Sequence, residues 1–454
     1  MRFFITTFIS LFILNNLTYS QDKNIEVGKY PKIVVGLVID QMRWDYLYRY
    51  YDRYTNDGFK RLLKDGFSYE NAQINYAQSV TAVGHASLYT GSVPALHGIT
   101  GNEWIDRKTS KYQYCVSDEG VKPVGGSIKG GKMSPKNLLA TTIGDELKLS
   151  NNFRSRVFGV SIKDRGGILP AGRSADAAYW FDDSTGNWMT SSYYVTKLPT
   201  WVSQFNNLKI PEKLLKENWN LLYSKNTYLQ STEDNMPYEN NRHDKAGPVF
   251  PHVIDIDSKS KFSAFKYTPA SNTLSFDFAK QLINSESLGK AGFTDMLCLS
   301  IAGTDYIGHA YGPNSLEIED TYLRLDLEIS SFLKFLDEYA GQGNYLFFLS
   351  SDHGVAQVST FLDSKKINSG SNNNYALVKD LNKELKQKFG ENDLVKAYFD
   401  FQFYLDNQKI DSLKLPVAKI KEYIKRLLSN ITGISAAFNY DELNNQILPQ
   451  KIKE

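Results

Sequence analysis

The sequence predicts an α/β fold: a doubly wound, mostly parallel sheet with helices on both faces and an inserted cap region. Four short runs of almost continuous hydrophobic residues predict strands that are buried on both faces. Helical patterns lie between these runs, and strands that alternate with helices form parallel sheets. The predicted strands are residues 33–39, 157–162, 296–301 and 345–349.

Two helices are predicted between these strands. Residues 136–149 form the first, and residues 316–339 form the clearest, because apolar residues recur there at three- and four-residue steps. Between them, residues 170–290 are rich in Asn, Ser, Tyr and Trp and contain a hairpin-like turn at 183–186. We interpret this stretch as the cap insertion.

The region after the last predicted strand begins with a polar loop at residues 364–374. Residues 375–389 then predict a helix that ends at Gly390. An alternation of aromatic and polar residues predicts one half-exposed strand, and a second amphipathic helix follows it. The alternating aromatics are Phe399, Phe401 and Phe403, and the second helix is predicted at 417–428.

The N-terminus has the pattern of a cleavable secretory signal peptide over residues 1–20. Arg2 is followed by an apolar run at 3–14 and by a small-residue ending. The alternative is a buried N-terminal strand or helix. No other stretch approaches the roughly 18 apolar residues of a membrane span. We therefore expect residues 21–454 to be exported, periplasmic or secreted, without a membrane segment.

The bulk composition excludes some partners. The chain carries 52 Lys plus Arg against 50 Asp plus Glu, a net charge of +2, which gives no electrostatic case for nucleic acid or an anionic membrane. Cys115 and Cys298 are the two cysteines, too few for a disulfide scaffold. A bond between them stays open, although Cys298 lies in an apolar run and is expected in the core. No partner chain is indicated, and a monomer is expected.

Carboxylate and imidazole side chains follow three of the predicted strands. Asp40 ends the first strand, Asp305 and His309 follow the third, and Asp352 and His353 follow the fourth. Because the carboxyl ends of parallel strands share one edge, these side chains are expected to meet. Asp and His are ligands of zinc and similar divalent ions, so a shared metal site is predicted. The alternative is a set of scattered helix caps and core histidines.

Thr81 begins a predicted short helix that ends at Gly91. Amide groups at a helix N-terminus favour a phosphate, and metal coordination can activate a Thr hydroxyl as a nucleophile. The alternative is that Thr81 only caps the helix.

Three further residues could hold an anion. Lys163 and Arg165 are two apart at the end of a predicted strand, which would send both side chains to one face. The alternative is a solvated turn. Asn102 is a weaker candidate. His243 and His252 lie in polar segments and are expected at the surface.

These residues resemble the nucleotide pyrophosphatase/phosphodiesterase-like branch of the alkaline phosphatase superfamily. The matching segments are 81–85, 305–309 and 352–354. Within that branch, residues 35–46 and 163–165 are similar to the bacterial phosphate-irrepressible alkaline phosphatases. The resemblance covers the chain from about residue 30 onward and implies an alkaline-phosphatase-like fold and a phosphomonoesterase with two zinc ions.

The resemblance also implies a role for each candidate residue. Asp40, Asp352, His353 and the Thr81 oxygen would hold one zinc, and Asp305 and His309 would hold the other. Asn102, Lys163 and Arg165 would grip the phosphoryl oxygens. The implied mechanism is in-line attack by a zinc-bound Thr81 alkoxide, followed by hydrolysis of a phosphothreonine and release of phosphate.

One expected ligand is missing. The family has a third protein ligand for the second zinc, a histidine near the C-terminus, but none of the six histidines follows His353. We expect either a truncated chain or a natural short form, with truncation favoured, low phosphatase activity and ready loss of zinc. A phosphodiesterase or nucleotide pyrophosphatase, and a degenerate metal- or phosphate-binding relative, are the alternative functions.

Overall fold

The computed structural model describes residues 30–107, 109–240 and 247–443. The predicted signal peptide, His243 and residues 444–454 lie outside these ranges. The strands are β1 (Ile33–Ile39), β2 (Glu103–Ile105), β3 (Tyr112–Tyr114), β4 (Pro123–Val124), β5 (Val157–Ser161), β6 (Ala177–Asp182), β7 (Asn187–Ser191), β8 (Asp295–Ile301), β9 (Tyr345–Ser350), β10 (Val395–Phe399) and β11 (Gln402–Leu405).

Seven of these strands form the central sheet, in the order β4-β7-β6-β5-β8-β1-β9. The five strands β6, β5, β8, β1 and β9 run parallel, whereas β7 pairs antiparallel with both of its neighbours, β6 and the edge strand β4. In the middle, β1 lies between β8 and β9, with Val35 opposite both Leu297 and Phe347. The mostly parallel sheet and its four predicted strands are confirmed, each strand within one residue of its predicted bounds. The predicted burial of both faces is wrong for β9, because it is the edge strand of the sheet and its Leu346 is 52% exposed.

Helices cover both faces of this sheet. The α-helices are α1 (Tyr46–Arg49), α2 (Phe59–Asp65), α3 (Thr81–Thr90), α4 (Pro94–His97), α5 (Ile128–Gly131), α6 (Ile143–Leu149), α7 (Asp164–Ala171), α8 (Thr200–Asn207), α9 (Ile210–Leu214), α10 (Lys261–Phe265), α11 (Ala270–Ser285), α12 (Gly303–Tyr311), α13 (Leu316–Ala340), α14 (Ser359–Ser364), α15 (Asn374–Phe389), α16 (Asn407–Ser412) and α17 (Val417–Ser429). Short 3₁₀ turns occupy Tyr51–Arg53, Lys225–Thr227 and Tyr440–Glu442.

The alternation of side chains along β1 explains the two layers of helices. Val35 and Leu37 belong to the core that α11 and α13 share. Val38 packs on the opposite face with Tyr89 of α3, whose hydroxyl donates to the Gly36 carbonyl at 3.1 Å. Both faces of the strand are therefore buried, as its continuous apolar sequence predicts.

The predicted cap takes in strands that belong to the sheet. β6 and β7 extend the central sheet and are joined by the predicted turn at 183–186, and α11 packs on the sheet. The candidate cap is therefore reduced to residues 192–269, between the end of β7 and the start of α11. Composition could not distinguish the sheet strands from the cap, because β6 contains Tyr and Trp, the residue types that also occur in the segment after β7.

One helix prediction and one strand prediction need correction. Only the second half of the predicted helix at 136–149 is helical, because Thr142 and Asp145 form a capping box that starts α6 at Ile143. The single strand predicted at 399–403 is a hairpin, β10–β11. Its tip holds Asp400 and Phe401 in left-handed conformations, with φ of 45° and 64°.

The C-terminal elements α15 to α17, with β10 and β11, enclose a core of their own. Its buried members are Leu381, Leu385, Leu394, Val395, Ile410, Ile420, Ile424 and Leu428. Both cysteines are buried free thiols, so the disulfide left open above is not formed. Among residues 30–107, 109–240 and 247–443, no helix has the length and apolarity needed to cross a membrane.

Candidate active site

The carboxyl ends of β1, β8 and β9 bring three acidic residues to one edge of the sheet. Asp40 follows β1 directly and is anchored by its backbone amide, which donates to Ile301 at the end of β8 at 2.9 Å. Asp305 lies in the first turn of α12, which starts just after β8, and Asp352 follows β9. Parallel pairing of adjacent strands accounts for this convergence.

Asp40, Asp305 and His353 form a buried group that could hold a metal ion. One ligand atom of each lies within 4.8 Å of the others. His353 Nε2 is 3.4 Å from Asp40 Oδ1 and 3.7 Å from Asp352 Oδ2. Asp40 Oδ1 and Asp352 Oδ2 are buried without a hydrogen-bond partner in the described part of the chain. Buried carboxylate oxygens left in this way are suited to a divalent cation.

His309 lies one helical turn after Asp305. Its Nε2 is 3.2 Å from Asp305 Oδ1, and its side chain is 68% exposed. The i, i+4 spacing on α12 therefore forms a two-ligand pair, as the sequence pattern suggests. This pair opens to solvent, in contrast to the buried group around Asp40.

Lys163 links the carboxylates to Thr81. Its Nζ donates to Asp40 Oδ2 at 2.7 Å and to Asp305 Oδ2 at 2.6 Å, and it lies 3.3 Å from Thr81 Oγ1. Burial alone would lower the pKa of Lys163, but Asp305 and Asp40 raise it above its usual value. The ammonium therefore stays charged and partly neutralises the two acids.

Thr81 is the first residue of α3, and Val80 occupies the N-cap position without a side-chain capping bond. The helix ends at Gly91, whose left-handed φ of 61° suits glycine. Because Val80 holds the N-cap position, the Thr81 hydroxyl does not cap the helix, and the alternative explanation for Thr81 is wrong. The neighbouring Ala82 amide donates to Asn102 Oδ1 at 2.9 Å. This bond uses the amide oxygen of Asn102 and leaves Nδ2 as its donor group.

Arg165 is held by groups on two elements. Its Nη1 donates to Tyr114 Oη at 3.0 Å, and Tyr114 donates in turn to Asp164 Oδ1 at 2.7 Å. The reason given above for pairing Lys163 with Arg165 is wrong, because β5 ends at Ser161. Lys163 is the N-cap residue of α7, and Arg165 lies in its first turn. Helix geometry, not strand alternation, brings these two cations to the same end of α7.

Charges within the site shift the pKa values of its paired residues. Burial would raise the pKa of Asp352, but the His353 and His85 rings outweigh burial and lower it to about 2. Burial would lower the pKa of His353, whereas Asp352 and Asp40 raise it to about 9. A proton on His353 therefore neutralises the same carboxylates that a metal ion would.

Sequence reasoning missed two residues that contact the candidate ligands. Gln41, directly after Asp40, donates through Nε2 to Asp305 Oδ1 at 2.8 Å. His85 Nδ1 lies 2.8 Å from the Thr81 carbonyl oxygen and 3.2 Å from Asp352 Oδ2, and Ser300 Oγ contacts its Nε2 at 2.9 Å. Both belong to motifs already singled out, so proximity to Asp40 and Thr81 was the available signal.

The prediction for one histidine is wrong. His252 was expected at the surface, but it is buried, and its Nε2 lies 3.0 Å from Glu317 Oε1. Its polar local sequence gave no sign of this, because the partner is 65 residues away on α13.

A protein-family model described as type I phosphodiesterase / nucleotide pyrophosphatase matches residues 34–453. The chain belongs to this family. The matched residues include the central sheet and the candidate site at the ends of its strands.

Three curated proteins are similar to this chain over most of their length. The alkaline phosphatase PafA of Elizabethkingia meningoseptica is 44% identical, over 93% of this chain and 78% of PafA. The alkaline phosphatase PhoV of Synechococcus elongatus is 46% identical, over 93% of this chain and 76% of PhoV. A protein of Myroides odoratus named calcium-transporting ATPase is 48% identical, over 93% of this chain and 78% of that protein.

The crystal structure of wild-type PafA superposes on this family member with a TM-score of 0.89 at 44% identity, over 93% of this chain and 81% of the PafA chain. The predicted resemblance to bacterial alkaline phosphatases of this branch is confirmed, and so is the predicted fold class.

Proposed function

We propose that this family member is an alkaline phosphatase that hydrolyses small phosphate monoesters through a phosphothreonine at Thr81. One observation carries the proposal. Lys163 Nζ lies 3.3 Å from Thr81 Oγ1 while it binds Asp40 and Asp305 at 2.7 and 2.6 Å. A nucleophilic hydroxyl, a cation and metal-binding carboxylates thus share one strand-end site.

The donor set fits two zinc ions. Asp40, Asp352, His353 and the Thr81 oxygen would hold one, and Asp305 with His309 would hold the other. Such ions lower the pKa of a bound hydroxyl or water and neutralise charge on the attacking and leaving oxygens. The His309 side chain is 68% exposed, so the second ion should bind more weakly than the ion held by the buried residues Asp40, Asp352 and His353.

Asn102, Lys163 and Arg165 would hold the phosphoryl oxygens. A monoester dianion carries one more charged oxygen than a diester. Two cations would match that extra charge: Lys163, 3.3 Å from Thr81 Oγ1, and Arg165 in the first turn of α7. A solved variant of PafA has a threonine, an asparagine, a lysine and an arginine replaced together. The same four residue types stand here at Thr81, Asn102, Lys163 and Arg165, with the same Thr–Asn and Lys–Arg separations.

The reaction then proceeds in two displacements. Thr81 Oγ1 releases its proton to solvent and attacks phosphorus, and the bond from phosphorus to the ester oxygen breaks as the new bond forms. The departing alkoxide takes a proton from solvent. Water next attacks the phosphothreonine, which restores Thr81 and releases inorganic phosphate. Lys163 and Arg165 stabilise the charge on the equatorial oxygens in both steps.

We also propose that the reaction takes place outside the cytoplasm. The support is the sequence pattern of residues 1–20, with Arg2 before an apolar run. The net charge of +2 gives no electrostatic support for nucleic acid as a substrate, so we expect the enzyme to act on small phosphate esters. We expect the chain to be a monomer.

Replacement of Thr81 by alanine tests the mechanism. We expect Thr81→Ala to lose at least about a thousandfold of the phosphatase activity toward an aryl phosphate monoester, because the attacking oxygen is gone. Hydrolysis of the monoester and of a diester of the same phenol should be measured on zinc-loaded protein. We expect the monoester to react faster in the wild-type chain.

Thr90→Ala is the matched control, since Thr90 ends the same helix and its hydroxyl only donates to the Ala86 carbonyl at 2.7 Å. It should keep the wild-type rate. Retention of the wild-type rate by Thr81→Ala would exclude Thr81 as the nucleophile. A faster diester would move the assignment to phosphodiesterase, and zinc binding without turnover would indicate a binding protein.

A further inference from the structure

Gln41 contacts both halves of the candidate metal centre. The residue directly follows Asp40 and is 4% exposed. Its backbone amide donates to Asp352 Oδ1 at 3.1 Å, and its side-chain Nε2 donates to Asp305 Oδ1 at 2.8 Å. One residue therefore fixes a carboxylate from each of the two proposed zinc sites, across sequence separations of 311 and 264 residues.

The backbone of Gln41 is left-handed, with φ of 64°. This conformation is unfavourable for a non-glycine residue, because the Cβ atom comes too close to the following carbonyl oxygen. Such a conformation persists where the surrounding structure holds it in place. Here the left-handed turn points the amide of Gln41 at Asp352, while the side chain reaches Asp305.

Gly308 makes room for the Gln41 side chain. A Cβ atom at Gly308 would lie 2.0 Å from Gln41 Oε1, too close for any real contact. Gly308 stands on α12 between Asp305 and His309, so the helix that carries both ligands of the second site is shaped to receive the glutamine amide. This fit is independent of the two hydrogen bonds.

We propose that Gln41 is a positioning residue that orients Asp305 for the second metal ion. The proposal rests on the function proposed above. An amide is a neutral donor, so it can fix Oδ1 of Asp305 without adding a positive charge to the one that Lys163 Nζ brings to Oδ2 at 2.6 Å. Partners that orient ligating carboxylates in this way typically contribute 10- to 100-fold to metal affinity.

Gln41→Met tests this role, because methionine has a similar length and no donor, and the backbone bond to Asp352 is kept. Zinc should be titrated into metal-free protein against a chelating indicator. In the wild-type chain we expect two affinities. In Gln41→Met the weaker affinity should fall about 10- to 100-fold, whereas the stronger one changes by less than about threefold.

Two further variants control the result. Gln281→Met makes the same change at an exposed glutamine of α11 and should leave both affinities unchanged. Gly308→Ala should weaken the same ion as Gln41→Met, because the added Cβ displaces the amide. In the double variant the two effects should not add, since both remove one hydrogen bond.

Unchanged zinc affinities in both Gln41→Met and Gly308→Ala would overturn the inference. If Gln41→Met does not fold, Gly308→Ala measured in the same titration still decides it. A wild-type chain that binds no zinc would overturn the proposed function instead, so the two failures are distinguishable.

Discussion

Lys163 carries the positive charge that the buried acids of the site require. Its ammonium group is almost fully buried between Asp40 and Asp305, and their two side chains expose 0% and 7% of their surface. The three residues come from different elements, 123 and 142 positions apart in sequence. The chemical types could be chosen from the sequence, because each follows a strand. Their contacts could not, because no local pattern reports a distance across the sheet edge.

Removal of this charge should destabilise the metal-free protein. Lys163→Met would remove the cation that bridges the two buried carboxylates of Asp40 and Asp305, a change that typically costs about 3–5 kcal/mol. Zinc should offset much of this loss, because an ion at Asp40 and Asp305 supplies the missing charge. Denaturant unfolding of wild type and variant, with chelator and then with zinc, measures both quantities.

The control for that experiment is Lys266→Met. Lys266 Nζ also donates to an aspartate, Asp183 at 2.7 Å, but Asp183 is 46% exposed. Its loss should cost no more than about 1 kcal/mol and should not respond to zinc. Equal losses in the two variants, with or without zinc, would show that Lys163 is not the compensating charge.

Short elements show where local sequence patterns give the wrong result. The alternation of Phe399, Phe401 and Phe403 suggests one strand, but Phe401 is 85% exposed at the tip of a hairpin. Side-chain alternation is the same on either side of a tight turn, so periodicity could not show that the chain reverses. By contrast, β1, β5 and β8 were predictable because both of their faces are buried, which requires continuous apolar sequence. β9 is also apolar, but it is the edge strand, and its Leu346 is 52% exposed.

The segment between β7 and α11 contains a buried acid with a shifted pKa. Glu239 Oε2 accepts bonds from the amides of Met236 and Asn235, at 2.9 and 3.2 Å. Burial raises the pKa of Glu239, and the Glu317 carboxylate on α13 adds to that effect, giving about 8. The charge of Asp234 raises this pKa further, while the two amide donors lower it.

This shift predicts a pH-dependent stability. The folded chain keeps its proton on Glu239 up to about pH 8, whereas an unfolded glutamate loses its proton near pH 4.5. The folded state therefore binds more protons in this window, so its stability should fall as the pH rises from about 5 to 8. Thermal unfolding across that range should show a smaller decline in Glu239→Gln than in wild type.

Glu338→Gln serves as the control, because Glu338 is exposed on α13 and its removal should leave the pH profile unchanged. If the wild-type and Glu239→Gln profiles run parallel from pH 5 to 8, the carboxyl of Glu239 is not protonated in the folded chain.

The chain as a whole combines the central α/β layers with the separate C-terminal core of α15 to α17. The join is the polar loop at 365–373, which holds no buried residue. Its Asn, Ser and Lys residues have no apolar surface to pack, so the loop should open locally at low cost. The polar composition predicted this loop correctly, and the core behind it follows from the amphipathic helices on its far side.

Limited proteolysis should detect this join. Within residues 247–443, we expect proteinase K to cut first between Lys365 and Asn373, because exposed loops without packed side chains are the preferred sites of nicking. Mass spectrometry of the early fragments measures the position. A first cut inside α13 or α15 would contradict the division into two cores, and a shortened loop should slow the cleavage.

The sequence by itself determined the fold class, the main strands of the sheet and the residue types at their ends. These follow from local pattern: buried strands must be apolar throughout, and parallel strands send their carboxyl ends to one edge. Only the tertiary structure decided that β6 and β7 belong to the sheet, that Lys163 lies between Asp40 and Asp305, and that Gln41 joins Asp305 to Asp352. Those contacts depend on the positions of side chains more than a hundred residues apart, which no window of sequence contains.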